Sequence, residues 1–319
     1  MPTPTDPAPD PDRLTALTAA GIGSDPVLDD SVQALLAVIA ARHGTALAAV
    51  LAYGSYLRGK RDTVLDFYVV LDDYRSLPLW QRPLAWALAP NVYHIGAPLA
   101  DGRTVRAKYA VVTPARFRHG TEREFHSYFW ARFAQPCKLL FCRDPDARTT
   151  VVTALAAAPR RFARLMLPLL PARFDSRDLW QGGLSLTYRC ELRSEKPGQA
   201  AALYDANATH FQAITAALAA EWPEIEALGQ DHYRNPHAGI WAARRARLGW
   251  QLRALLGKLL SLARVIKGAT TFEAPLEYLL WKIERHSGIR AEPSPRQLRH
   301  PLLFAWPLLW RLYRRGAFR

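Results

Sequence analysis

Cysteine, long apolar runs and a secretory leader are scarce or absent in this chain of 319 residues. Its 3 cysteines are Cys137, Cys142 and Cys190, and their spacing is not that of paired zinc ligands. This pattern argues against a disulfide framework or a zinc site and favours a reducing compartment. No run of about 18 apolar residues occurs, so we expect no membrane-spanning helix. The opening segment MPTPTDPAPDPDR lacks the basic start and apolar stretch of a signal peptide, and we expect residues 1–26 to form a disordered leader.

Acidic residues are also scarce in the last quarter of the chain. Residues 241–319 contain 16 Lys and Arg against 4 Asp and Glu, whereas the first 240 residues contain 26 against 24. The net charge of +14 is therefore concentrated near the C-terminus. A nearly neutral body with a basic C-terminal quarter predicts an anionic partner, either nucleic acid or anionic lipid.

Hydrophobic patterning divides the chain into an α/β part and a helical part. Strands are predicted at 48–52, 64–71, 105–113 and 137–142, and helices at 27–43 and 122–134. Further helices are predicted at 149–168, 179–195, 199–222 and 240–267. We place the boundary near Asp144-Pro145-Asp146, which gives an α/β domain over 27–145, a helical domain over 146–290 and a basic tail over 291–319.

The segment that points to chemistry is Gly54-Ser55, followed after ten residues by Asp66 within an apolar strand. Glycine lets the backbone approach a triphosphate closely, and serine with the following amides at a helix start donates hydrogen bonds to phosphate oxygens. A carboxylate on the next strand can hold Mg²⁺. The pattern resembles the signature of polymerase-β-like nucleotidyltransferases, which implies that fold, with a mixed sheet, for residues 27–145.

One part of that signature is missing. The superfamily usually carries a second carboxylate two residues after the first, and here Tyr68 occupies that position. Asp72 lies six residues along the strand, roughly 20 Å from Asp66, which is too far to share a metal ion in a straight strand. The third predicted strand offers Lys108 where many relatives have a carboxylate.

Several segments in the same order resemble the mitochondrial-type phosphatidate cytidylyltransferases, also called translocator assembly and maintenance proteins. The segments are YGS at 53–55, LDFYVVLDD at 65–73, NVYH at 91–94, KYAVV at 108–112, YFWARFAQP at 128–136, LTYRCELRSEKP at 186–197 and LARVIKGA at 262–269. The family strand that LDFYVVLDD resembles also lacks the second carboxylate. The resemblance further implies a winged-helix-like form for the helical domain.

The resemblance also implies a set of site residues. Asp66 and Lys108 are expected to be catalytic, with Asp66 as the ligand of the Mg²⁺ cofactor. Nucleotide binding is expected from Tyr53, Gly54, Ser55 and Lys108. The candidates for substrate phosphate are Arg132, Arg193 and His94.

The implied reaction transfers CMP from CTP to phosphatidate and releases pyrophosphate. A phosphate monoester has a second pKa near 6 and is already ionised at neutral pH, so its attack on the α-phosphorus needs no general base. One carboxylate then becomes dispensable, and cations such as Lys108 are needed to bring two anions together.

The basic tail predicts contact with the membrane that holds phosphatidate. On a helical wheel one side carries Leu302, Trp306, Leu309, Trp310, Tyr313 and Ala317, and the other carries Arg311, Arg314, Arg315 and Arg319. This is the pattern of an interfacial helix on an anionic surface, although a helix packed on the body is an alternative. The expected location is peripheral, on the cytoplasmic face of a bacterial inner membrane.

Two other functions remain open at the level of sequence. The chain could transfer a nucleotide to a hydroxyl group of a small molecule or an RNA end. It could also be a non-catalytic nucleic-acid-binding protein that uses the basic C-terminus, although no recognisable reading helix or aromatic RNA-binding motif occurs.

Overall fold

The computed structural model describes residues 12–23, 28–59, 64–191, 198–271, 280, 289, 291–299 and 304–314. The strands are β1 Leu47–Tyr53, β2 Leu65–Leu71, β3 Asn91–Pro98, β4 Thr104–Val112, β5 Cys137–Cys142, β6 Arg173–Asp175, β7 Glu226–Gly229 and β8 His232–Arg234. The first helices are α1 Arg13–Gly21, α2 Asp30–His43, α3 Gln81–Ala87, α4 Pro114–Glu122, α5 Trp130–Phe133 and α6 Pro145–Met166. The later helices are α7 Ser176–Arg189, α8 Gln199–Asp205, α9 Ala208–Glu221, α10 Ile240–Thr271, α11 Pro295–Arg299 and α12 Trp306–Arg314.

A five-stranded mixed sheet forms the centre of the first half, in the order β3-β4-β2-β1-β5. Strand β2 pairs parallel with β4 and antiparallel with β1, and the remaining pairs are antiparallel. Strands β1 and β2 are apolar at almost every position because both faces of the sheet are covered. The predicted α/β class with a mixed sheet is confirmed.

Each face of the sheet has its own core. On one face Phe67 and Tyr109 pack against the buried side of α2. On the other face Tyr68 and Val70 belong to a core that runs through α6 and includes Trp180 of α7. The predicted boundary coincides with the start of α6, where the Asp144 side chain caps the helix, but the hydrophobic core is continuous across it.

The second half carries a small sheet beside its helices. The order along the chain is β6, α7, α8, α9, β7 and β8, and β8 lies between the other two strands. A capping box of Asp175 and Asp178 begins α7, so the turn from β6 into the helix is closed by reciprocal hydrogen bonds. Helices α7 and α9 meet through the stacked rings of Trp180 and Phe211, whose centroids are 4.9 Å apart.

Helix α10 runs from the helical half back to the first half. Near its middle, Trp250 contacts Trp130 edge to face at 5.9 Å between ring centroids. A Cβ atom added to Gly257 would lie 2.3 Å from the carbonyl oxygen of Cys190, so only glycine allows α10 to approach the end of α7 this closely. Towards the end of α10, Lys267 donates hydrogen bonds to backbone carbonyl oxygens of the α3 segment, including Leu84 at 3.3 Å.

The outer side of α10 exposes a row of leucines. The exposed members are Leu248, Leu252, Leu255, Leu256, Leu259 and Leu262. None of the described helices combines the length and the apolar character that crossing a membrane requires.

Three of the predicted elements differ from the structure. Within the predicted 1–26 leader, Arg13–Gly21 forms α1, whose Leu14 is fully buried against the helical core, so the disordered-leader prediction is wrong for this stretch. The predicted 122–134 helix is wrong because the chain turns after α4, where Phe129 packs directly onto Gly120. The predicted 199–222 helix breaks at Asn207, whose side chain donates to the Leu203 carbonyl and competes with the helical pattern.

The described part of the basic tail forms α12. Its Leu308 and Leu312 are buried in a small cluster with Leu280, whereas Trp306 and Trp310 are 68% and 61% exposed. The two tryptophans on the apolar side of the predicted helical wheel are therefore exposed, and the side of α12 that faces the body is formed by Leu308 and Leu312. Leu302, Ala317, Arg315 and Arg319 of the predicted wheel, and most of 272–290, lie outside the described residues.

Candidate functional site

Four of the predicted site residues lie in one row across the central sheet. Asp66 on β2 is in register with Tyr53 on β1 and with Lys108 on β4, and Lys108 is in register with His94 on β3. Residues in register on neighbouring strands point to the same face of a sheet. This is the face of Tyr68, which the helical layer covers.

Asp66 and Lys108 form an ion pair at the centre of that row. The Lys108 Nζ atom lies 2.9 Å from Asp66 Oδ1, and the two side chains are 31% and 19% exposed. Asp66 Oδ1 is buried, and apart from this ion pair it accepts no well-directed hydrogen bond from the described residues. Asp66 Oδ1 thus lies beside one cation, Lys108, and can still bind a further ligand.

Gly54 lies directly over this carboxylate. Its φ of +84° is in the left-handed region, which glycine adopts without strain. A Cβ atom at this position would lie 3.2 Å from Asp66 Oδ2, so a side chain here would also crowd the carboxylate. Both the backbone conformation and the close contact with Asp66 therefore favour glycine at this position of the motif.

Ser55 follows in a short 3₁₀ helix, Gly54–Arg58. The side chain of Ser55 lies outside the described part of the structure, so its role as a phosphate ligand stays a prediction. The next residue, Tyr56, fixes the position of this turn. Its hydroxyl donates to Asp29 Oδ2 at 2.7 Å and ties the turn to the residue that caps α2.

Tyr68 occupies the position of the missing second carboxylate. The ring is fully buried, and burial raises the pKa of its hydroxyl well above the ordinary value. Arg132 Nη1 donates to the Tyr68 hydroxyl at 3.0 Å. A neutral phenol bound to an arginine therefore lies two residues from Asp66, at the position where the nucleotidyltransferase signature usually has a second carboxylate.

Arg132 lies within a group of tyrosine rings and cations. Its guanidinium is 5.2 Å from the ring centroid of Tyr53 and 4.4 Å from that of Tyr128. Arg264 of α10 approaches the same Tyr128 ring at 4.2 Å. Burial would raise the pKa of Tyr128, but the two arginines outweigh it and lower that pKa.

Among the described residues, Arg132 has one partly exposed carboxylate at ion-pair distance. Glu191 Oε1 lies 4.0 Å from Arg132 Nη2, at the limit of an ion pair. Arg264 Nη2 instead contacts His126 Nε2 at 3.2 Å, and burial lowers the pKa of Arg264. The more remote Glu124 favours the charged form of Arg264 and partly offsets this lowering of its pKa. The two guanidinium groups meet on the Tyr128 ring next to Tyr68, and planar guanidinium groups are suited to binding phosphate.

Sequence reasoning missed several of these residues. Arg264 and Tyr128 both lie within the segments that resemble the family, but no role had been assigned to them. A partly buried trio also went unrecognised, in which Glu124 binds Arg116 and lies 2.7 Å from His126 Nε2.

One predicted site residue, Arg193, lies outside the described residues, so its role in binding substrate phosphate stays a prediction. Asp72 is at the opposite end of β2 and forms an ion pair with Arg143, 2.5 Å from Nη1 to Oδ2. Its distance from Asp66 therefore agrees with the expectation that it cannot share a metal ion with that residue.

The described residues offer only a sparse donor set for a metal ion. No group of three or more His, Cys, Asp and Glu side chains in the described ranges could hold one. Mg²⁺ at nucleotide sites is typically held by one or two carboxylates together with substrate phosphates and water. Asp66, with its buried Oδ1, fits an ion that arrives with a nucleotide rather than a preformed metal site.

No protein-family model matches this chain, and no curated protein matches it. The resemblance to phosphatidate cytidylyltransferases therefore rests on the motifs quoted above. The geometry of the row around Asp66 is an independent observation on which a function can be argued.

Proposed function

We propose that this chain is a Mg²⁺-dependent cytidylyltransferase that transfers CMP from CTP to phosphatidate and releases pyrophosphate. The observation that carries the proposal is the pairing of Asp66 with Lys108 beneath Gly54, with Tyr68 and Arg132 in place of a second carboxylate. This arrangement supplies one metal ligand and several cations but lacks the usual second acidic group. It suits an acceptor that is itself an anion.

The topology supports the same assignment at the level of fold. A strand that ends at a glycine turn, followed by a strand that carries a carboxylate beside the turn, is the arrangement expected of a polymerase-β-like nucleotidyltransferase. In the second half, α6 is followed by β6, by further helices and by the β7–β8 pair, and β8 lies between β6 and β7 in the sheet. This is the arrangement expected of a winged-helix domain.

The chemistry follows from the charges. An oxygen of the phosphatidate monoester attacks the α-phosphorus of CTP, a new P–O bond forms, and the bond to the leaving pyrophosphate breaks. The attacking oxygen carries no proton at neutral pH, so no side chain has to remove one. Mg²⁺ held by Asp66 would supply charge neutralisation on the nucleotide phosphates.

The remaining cations reduce the repulsion between the two substrates. Lys108 reaches the edge of the Asp66 carboxylate and can contact a nucleotide phosphate. Arg132 and Arg264 both lie over the Tyr128 ring. From this position they can bind the phosphatidate monoester. Fixed cations at developing negative charge stabilise a transition state more than mobile solvent does.

Exposed apolar side chains support access to a bilayer. Phe304, Trp306 and Trp310 are exposed on and beside α12, and the leucine row of α10 is exposed as well. Aromatic side chains next to arginines favour the interface of an anionic membrane. We therefore propose a peripheral protein on the cytoplasmic face of the membrane that contains its substrate.

The test is incubation of the purified chain with phosphatidate vesicles, Mg²⁺ and each radiolabelled nucleoside triphosphate in turn. We expect label from CTP to enter the lipid phase, and we expect Asp66→Asn to remove nearly all of this activity without a large change in melting temperature. Asp101→Asn, at an exposed carboxylate paired with Arg103, is the matched control and should retain activity. Label that enters only an RNA or a small hydroxyl compound would contradict the acceptor, and no transfer from any nucleotide would contradict the enzyme.

A further inference from the structure

A groove lined mainly by arginines lies where α4 ends against α6, apart from the row around Asp66. Its volume is about 530 Å³, and its lining residues are Glu122, Arg123, Thr153, Ala157, Arg160, Arg161 and Arg164. The five residues from α6 are spaced so that they share one side of the helix. Four arginines face one glutamate, so the groove carries an excess of positive charge.

Two of the four arginines already have carboxylate partners. Arg160 binds Glu221 in a bidentate pair, with Nε and Nη2 each donating at 2.8 Å. Arg123 is largely exposed and lies 3.8 Å from Glu122.

Arg161 and Arg164 form no salt bridge with any carboxylate of the described residues. Arg161 is partly buried, and its Nε atom is shielded from solvent without a hydrogen-bond partner among those residues. Arg164 is exposed and lies over the ring of Trp222 at 5.1 Å. A shielded donor of a charged group costs stability unless an acceptor binds it.

The surroundings of Arg161 add like charge rather than opposite charge. Burial and the neighbouring Arg164 lower the pKa of Arg161. Burial, followed by the proximity of Arg161, lowers the pKa of Arg253 to about 10. Arg161 therefore experiences like charge from two other arginines, while it forms no salt bridge with a carboxylate of the described residues.

We propose that this groove binds a phosphate-bearing anion through Arg161 and Arg164. The planar forks of arginine match phosphate oxygens and bind them in pairs, and both arginines line the groove. The groove is larger than one phosphate ion needs, which favours a phosphate joined to a second group. Such a ligand is either free pyrophosphate or the headgroup of an anionic phospholipid.

The test measures how fast phenylglyoxal labels each arginine, with the labelled peptides quantified by mass spectrometry. Near-saturating pyrophosphate should slow the labelling of Arg161 and Arg164 by about tenfold, because occupied residues are removed from the reactive fraction. Arg103, which is exposed and paired with Asp101, should be labelled at an unchanged rate. The same protection is expected in Asp66→Asn, so this result is independent of the proposed transferase activity.

Parallel reactions distinguish the two ligand sources. Protection by pyrophosphate supports a free anion, and protection by phosphatidate vesicles but not by pyrophosphate supports a lipid headgroup. Phosphatidylcholine vesicles and sodium chloride at matched ionic strength are the controls. Equal protection by the salt control, or no protection by either phosphate compound, would overturn the proposal.

A variant gives a second measurement. Arg161→Gln should remove most of the protection that pyrophosphate gives to Arg164, whereas Arg103→Gln should not. The variant is expected to keep or raise the melting temperature, because it removes repulsion with Arg164 and Arg253. Full protection of Arg164 in folded Arg161→Gln would show that Arg161 does not hold the anion.

Discussion

Replacing Lys108 by methionine tests the centre of the proposed site. Methionine keeps much of the apolar length of lysine and removes the charge, so the loss should come from the contact with anions. A hydrogen bond to a charged group contributes about 1.5–3 kcal/mol. If Lys108 contacts a nucleotide phosphate in the transition state, kcat/KM for CTP should fall by about 10- to 150-fold, at ~1.4 kcal/mol per factor of ten.

The effect on stability should be much smaller. The Lys108 and Asp66 side chains are 31% and 19% exposed, so solvent screens their pair and its loss should cost about 1 kcal/mol or less. In a chain of this size that corresponds to a melting temperature lower by about 2 °C or less. The two measurements therefore separate a role in catalysis from a role in folding.

The assay is transfer of label from CTP into the chloroform-soluble fraction, measured at several CTP concentrations. Lys138→Met is the matched control, because Lys138 is an exposed lysine on the edge strand β5. Lys108→Arg keeps the charge and should recover part of the activity. The reasoning would be refuted if Lys108→Met stayed within about twofold of wild type, or if its activity fell only together with a large drop in melting temperature.

Three further predictions concern the phenol near Asp66, a buried lysine and the exposed tryptophans. Tyr68→Asp should not raise CDP-diacylglycerol synthesis, because the acceptor is already ionised; a marked gain in the same labelled-CTP assay would contradict this. Burial, followed by the charge of Arg264, lowers the pKa of Lys267 to about 7. Its contribution to the free energy of unfolding should therefore be largest above the unfolded pKa of about 10.4 and should decline as the pH falls towards 7, by at most ~1.4 kcal/mol per pH unit. Urea unfolding of wild type and Lys267→Met between pH 7 and pH 9 measures this, and a difference independent of pH would count against it. Trp306→Ser with Trp310→Ser should weaken flotation with anionic vesicles by more than about tenfold, since each ring buries apolar area, while activity on short-chain phosphatidate survives; unchanged flotation would remove the proposed anchor.

Much of the fold could be predicted because burial leaves a direct mark on strand composition. The bounds of β5 were predicted correctly, and β2 differs by one residue, since both are short apolar runs with polar neighbours. Strand β3 was missed because it contains Gly96 and Pro98, and its buried residues alternate with less buried ones. Helix α1 was missed because it follows a proline-rich segment and because its Leu14 is buried through packing of α1 on the distant helices α6 and α9.

The site could be predicted only where its residues are close in sequence. Gly54 and Asp66 belong to one motif, and their spacing predicted that they meet. That His94 joins the same row depends on strand register, which composition does not give. Arg264 reaches Tyr128 from a helix that begins far along the chain, and nothing local to either residue predicts the contact.

Gly257 gives the long helix α10 a consequence for mutational tolerance. Gly257 allows the helix to lie against the carbonyl of Cys190, and the next residue, Glu191, faces Arg132. About two turns further along the same helix, Arg264 contacts the ring of Tyr128. A methyl group at this position would push the helix outward and move both charged groups together. Inactivating substitutions should therefore arise at a site that no substrate touches, and a screen for loss of function would identify Gly257 alongside Asp66.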